Sequence, residues 1–146
     1  MVFTSGGSES NHHALKGVFF ANRERGDHFI TSAVEHPAVV QPLRVLEALG
    51  ARVTALPVDR QGRADPDDVR RALAPRTLLA SIMHANDEVG TMQPIAEIAA
   101  IARELFRELD ALPPDHVCGW TMAKVLSSPS SSALGAGLST EGQRAL

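Results

Sequence analysis

Phe3-Thr4-Ser5-Gly6-Gly7-Ser8-Glu9-Ser10-Asn11 sets glycines and small hydroxyls at the point where the chain changes character. Before it, Val2 and Phe3 read as the end of an apolar strand. After it, Ala14, Leu15, Val18 and Phe19 recur at helical spacing, which puts the free amides of a helix start near Gly7, Ser8 and Glu9. Backbone amides, the positive end of a helix dipole and a hydroxyl suit a dianionic phosphate. The same residues also suit a plain turn, and the rest of the chain has to decide between the two.

Beyond the first helix the pattern alternates. A charged turn over 23–27 leads into an apolar, partly β-branched strand from His28 to Val34. Pro37 fits the first turn of a helix, whose face is Val39, Val40, Leu43, Leu46 and Leu49 and whose stop is Gly50. Residues 51–58 return to strand, and 59–62 turn. Asp65, ahead of Pro66 and two further acids, caps a short helix ending before Pro75. Residues 77–83 form the most continuous apolar strand, as expected for a parallel sheet covered on both faces. A loop over 84–93 precedes a helix opened by Pro94. This order predicts an α/β layer with right-handed crossovers, and ligands in such sheets bind at the loops after the strands. The glycine run, His36 and the 84–93 loop all fall there. From Asp110 the chain turns to serine, proline and glycine without a period, and 110–146 is expected to be a disordered tail.

With 146 residues and 44% hydrophobic content, the chain has material for one domain with a core. A net charge of -3 offers no basic face for nucleic acid, and no apolar run approaches the length of a membrane span. The expectation is a cytoplasmic protein without nucleic-acid or membrane partners. One cysteine, Cys118, gives neither an internal disulfide nor a zinc pattern, so no metal site is assigned. Lys16 and Lys124 are the only candidates for amine chemistry.

Three motifs, kept in order and spacing, carry a resemblance: the run 3–11, then Ser32-Ala33-Val34-Glu35-His36-Pro37-Ala38-Val39, then Ile82-Met83-His84-Ala85-Asn86-Asp87-Glu88-Val89-Gly90-Thr91. Together they resemble the cysteine desulfurase and selenocysteine lyase family, pyridoxal-phosphate enzymes of the class V aminotransferase fold. The likeness covers about residues 1–106. It implies that 1–109 is part of the large cofactor-binding domain of a fold-type I enzyme. It implies pyridoxal 5'-phosphate as cofactor, cysteine or selenocysteine as substrate, alanine plus released sulfur or selenium as products, and a homodimer in an intact parent. In the family the first turn holds the cofactor phosphate, which carries over to Gly7 and Ser8. The histidine of the Glu-His pair stacks on the pyridine ring, which carries over to His36.

The third motif departs from the family pattern of Asn-Asn-Glu, whose second asparagine donates a hydrogen bond to the cofactor's phenolate oxygen. Asp87 stands in that place. An ionised carboxylate accepts hydrogen bonds but donates none, so it repels a phenolate unless it holds a proton. Either Asn86 moves in to compensate or the exchange is near neutral. After residue 106 the family continues with an aspartate for the pyridine nitrogen, a glutamine, and a Ser-x-His-Lys segment bearing the Schiff-base lysine, and this sequence has none of them. Lys16 and Lys124 read as solvated side chains, Cys118 lacks the family context, and no catalytic residue is assigned. The expectation is a truncated, inactive piece of such an enzyme, with a tail from a shifted frame or a misjoined exon. The alternative is a non-catalytic protein that binds a phosphorylated ligand or pairs with an intact homologue.

Overall fold

The computed structural model describes residues 3–110. Four helices and three strands alternate: α1 Gly7–Asn22, β1 His28–Ser32, α2 Pro37–Ala48, β2 Arg52–Leu56, α3 Pro66–Ala72, β3 Thr77–Ser81 and α4 Ile95–Asp110. Their ends follow from local chemistry. Pro37 opens α2, and Gly50 closes it at a φ of 98°, with Ala51 N donating to Leu46 O and Gly50 N to Glu47 O. That pair of bonds satisfies carbonyls the helix leaves open, and only glycine adopts such a φ without strain. Asp65 caps α3 by accepting from Asp67 N at 2.9 Å.

The strands lie parallel in the order β2-β1-β3, with Ile30 opposite both Thr54 and Ala80. Consecutive side chains of β1 enter opposite layers. Phe29 joins Leu15, Phe19, Val39, Leu43 and Leu46 beneath α1 and α2. Ile30 joins Leu56, Val69 and Ile98 beneath α3 and α4. β1 and β3 are buried along their whole length because helices cover both faces, the arrangement that their apolar runs predict. No helix among the described residues is long and apolar enough to cross a membrane.

Two expectations need correction. No strand forms at residue 3: Phe3 is 89% exposed and pairs with no strand among the described residues, since a short apolar stretch without a neighbour gains nothing by extending. The three real strands stop at Ser32, Leu56 and Ser81, short of the expected 34, 58 and 83. Beyond those ends Ala33 and Val34 form a turn, and Val58 bridges to Ala64 instead of to the sheet. The proposed tail, 110–146, lies beyond the described residues apart from Asp110 itself.

The lower edge holds one tight approach. A Cβ built on Gly26 would lie 2.5 Å from Arg76 O and 2.8 Å from Leu78 Cδ2. Arg76 O also accepts from Asp27 N and His28 N, the bonds that start the β1–β3 pairing. Gly26→Ala is therefore expected to lower stability by about 2 kcal/mol through overpacking against backbone. The check is a urea midpoint that falls at unchanged slope, and an unmoved midpoint would contradict this account.

Candidate functional site

A cleft of about 310 Å³ opens at the upper ends of β1 and β3. Its position follows from topology. The helix after β1 packs on one face of the sheet and the helix after β3 on the other, so the connections diverge and leave a crevice between neighbouring strands. Gly7, Ser8, His36 and Asp87, which come from three separate motifs, all line it.

Two helix starts face this crevice and differ in one respect. α2 is capped by a side chain: His36 Nδ1 accepts from Ala38 N at 3.0 Å, and Val39 N and Val40 N reach His36 O. With Nδ1 engaged as acceptor, the proton of the neutral ring sits on Nε2. α1 has no side-chain cap, and its first backbone bond runs from Ser10 N to Gly6 O. The amides of Gly7, Ser8 and Glu9 thus begin the helix without a carbonyl to bond, in the position that favours an anion. A Cβ on Gly7 would meet nothing within 4 Å, so the space before these amides is open. Glu9 turns its carboxylate back to Ser5 N and Oγ, bonds that hold it below the usual carboxylate range, and it does not line the cleft.

Glu35 ties the two walls together. Its Oε1 accepts from Ser32 Oγ at 2.8 Å and from Met83 N at 2.7 Å, joining the turn after β1 to the loop after β3. Burial pushes its carboxyl above the usual range, against the pull of those two bonds. Asn86 adds a second tie. Its Nδ2 donates to Val34 O at 3.2 Å, while its Oδ1 accepts from Glu88 N and Val89 N, each at 3.0 Å. Asn86 is thereby committed to shaping its loop and does not line the cleft, whereas the exposed Asp87 does. The idea that Asn86 moves in to replace a lost donor therefore has no support in this geometry. The loop is also pinned from below, with Gln93 Oε1 accepting from Ala64 N and Gln93 Nε2 donating to Gly62 O.

Asn11, Glu35, Ser81 and His84 line the cleft as well, although the sequence singled out none of them as a site residue. Asn11 had a usable signal, since it stands one helical turn beyond Gly7 and Ser8. Lys16 does not line it and stands nine residues into α1, roughly 13 Å along the axis from Gly7. No lysine or arginine lines the cleft among the described residues. Lys124 and Cys118 lie outside those residues. No group of three potential metal ligands occurs among them either.

The family pattern of aminotransferase class V matches residues 1–109. The cysteine desulfurase IscS of Dictyoglomus turgidum is 57% identical over 104 residues, which is 71% of this chain and 26% of that protein. The cysteine desulfurase IscS of Methanosarcina thermophila is 54% identical over the same shares. The chain thus spans about a quarter of the length of the curated relatives it matches. Among solved structures, "SspA in complex with cysteine" is 42% identical with a TM-score of 0.67, over 71% of this chain and 30% of that one. A "NIFS-LIKE PROTEIN" is 34% identical with a TM-score of 0.65, over 66% and 27%.

Proposed function

The chain belongs to the class V aminotransferase family, and from that premise we propose that its cleft holds the phosphate and ring of pyridoxal 5'-phosphate in an enzyme that removes sulfur from cysteine. The observation that carries the reading is the meeting of Gly7, Ser8, His36 and Asp87 on one cleft whose only uncapped helix start, α1, faces the opening. Enzymes of this family depend on pyridoxal phosphate. The residues fit its two ends. The α1 amides and the Ser8 hydroxyl would hold the phosphate, and His36, whose tautomer is fixed by its own cap, would offer its flat ring to the pyridine. When bound, pyridoxal phosphate supplies an electron sink for the substrate carbon. His36 holds a proton at Nε2, within the cleft, where it can be passed to or from a reacting group. Glu35 and Asn86 tie the two walls of the cleft together, and Asp87, on its lining, would be the residue to meet the phenolate oxygen.

Cysteine as the substrate rests on two supports: the desulfurase relatives, and the solved relative that carries cysteine in its complex. Selenocysteine is the alternative substrate of the same chemistry.

The test is equilibrium dialysis of the 146-residue chain against pyridoxal phosphate and against pyridoxal. Charge-assisted bonds at the α1 start should make the phosphate form bind at least about ten-fold tighter. Equal retention would remove the phosphate role of Gly7 and Ser8. The absence of lysine from the described lining favours a second reading, in which the chain holds a phosphorylated ligand or pairs with an intact homologue without catalysis. Borohydride added to the same samples separates the two. A reduced adduct at Lys124 supports the enzyme, and retained cofactor without an adduct supports the non-catalytic holder.

A further inference from the structure

Among the described residues, the ionisable side chains on the cleft lining are Glu35 and His36, from the turn after β1, and His84 and Asp87, from the loop after β3. α1 adds Gly7, Ser8 and Asn11, none of which titrates, and its Glu9 is turned back to Ser5 away from the lining. A dianionic phosphate at the α1 start therefore meets two carboxyl groups and no lysine or arginine. Any positive charge on this lining has to come from a histidine.

The two histidines differ in what a second ring proton would cost. His36 Nδ1 accepts from Ala38 N at 3.0 Å, so protonating that nitrogen would break the cap of α2. The exposed ring of His84 makes no hydrogen bond or ion pair among the described residues, and protonating it breaks nothing. Its backbone is nevertheless held in place. His84 O accepts from Gln93 N at 2.8 Å, and the buried Gln93 side chain is bonded in turn to Ala64 N and Gly62 O.

We infer that His84 takes a proton from solvent when a phosphate group enters the cleft, and as imidazolium supplies the positive charge that holds it. The inference rests on the phosphate reading of the α1 start. An anion favours the charged form of a neighbouring imidazole, and by linkage the charged form favours the anion. The contact would be a charge-assisted hydrogen bond, stronger than one between neutral partners.

Sulfate is the probe, because it stays a dianion across the range in which histidine titrates, and any pH dependence then belongs to the chain. Titrated calorimetrically into the 146-residue chain, sulfate should bind about ten-fold tighter near pH 5.5 than near pH 8. Near pH 7 binding should draw protons from the buffer, read as heats that differ between buffers of different ionisation enthalpy. Glu35, pushed upward by burial, adds a slope of the same sign, but it is present in every variant. His84→Gln should remove most of the slope and most of the proton uptake. His84→Lys, a fixed cation, should bind sulfate near pH 8 about as tightly as the wild type does near pH 5.5. His13→Gln, exposed on α1 and off the lining, should behave as the wild type. His84→Gln should also weaken pyridoxal phosphate about ten-fold near pH 6 and leave pyridoxal unchanged, a split that a loosened fold would not produce. A slope that survives His84→Gln, or equal weakening of pyridoxal phosphate and pyridoxal, overturns the role of His84 and leaves the phosphate reading standing. Sulfate that binds without saturation at every pH overturns both.

Discussion

Asp87→Asn is expected to tighten pyridoxal phosphate on this chain about a hundred-fold. Two effects add. Asp87 lies exposed on the cleft wall, so its repulsion of an anionic oxygen is screened to about 1 kcal/mol. Asparagine also supplies an N–H donor that the carboxylate lacks, and a hydrogen bond to a charged acceptor contributes about 1.5–3 kcal/mol. Together these reach the roughly 2.7 kcal/mol of a hundred-fold change. The adjacent Asn86 does not supply the donor in the wild type, because its amide is committed to Val34 O. Glu88→Gln is the control: it removes the same charge one residue on, at a position that does not line the cleft, and should leave affinity nearly unchanged. Dialysis of the three proteins decides. Equal tightening by both variants would reduce the effect to net charge, and an unmoved Asp87→Asn would separate Asp87 from the phenolate.

The parts of this fold that a single sequence reveals are those set by near neighbours. Pro37, Gly50 and Asp65 mark helix ends through bonds to residues within a turn or two, and they hold those places in the folded chain. The apolar runs at 28 and 77 announce buried parallel strands because burial on both faces removes the alternation of an edge. Strand ends are a different matter. Ala33-Val34 and Ile82-Met83 are as apolar as the strands they follow, yet these segments leave the sheet and meet through Glu35, Met83 and Asn86. That meeting depends on the β1–β3 neighbourhood, which a crossover past β1 creates and no local pattern states. The cleft was legible in its named residues and hidden in its supports. Gly7, Ser8, His36 and Asp87 belong to motifs, whereas the burial of Glu35 and the commitment of Asn86 appear only once the strands are paired.

His28 is the clearest case of a role that needs the register, and it carries the largest expected loss of stability. Its ring spans three strands, with Nδ1 2.8 Å from Thr77 Oγ1 on β3 and Nε2 2.8 Å from Thr54 Oγ1 on β2. His28→Ala removes one buried and one part-buried hydrogen bond and leaves a ring-sized void, for an expected cost of about 3–4 kcal/mol. His28→Phe keeps most of the volume and should lose less. The pH dependence separates bonding from charge. Hydroxyl partners can accept from both ring nitrogens, so hydrogen bonding does not forbid the charged ring. Burial does, with the nearby Arg52 assisting and Asp27 opposing, and it holds His28 below the ordinary histidine value. Between the lowered value and the ordinary one of about 6.5, the unfolded chain binds more protons than the folded one, so stability rises with pH across that interval. The contribution is complete above about pH 6.5 and is lost as the pH falls towards the folded value. Glu35, pushed upward by burial, contributes the opposite slope in its own interval, and Asp27, held below the usual carboxylate range, loses its contribution only in stronger acid. Subtracting the urea stability of His28→Phe from that of the wild type at each pH cancels those shared slopes to the extent that the sites are independent. The difference should climb from acid to about pH 6.5 and then level off. A flat difference would mean that the ring takes its proton as readily inside the sheet as in the open chain, and that burial sets no charge state at this position.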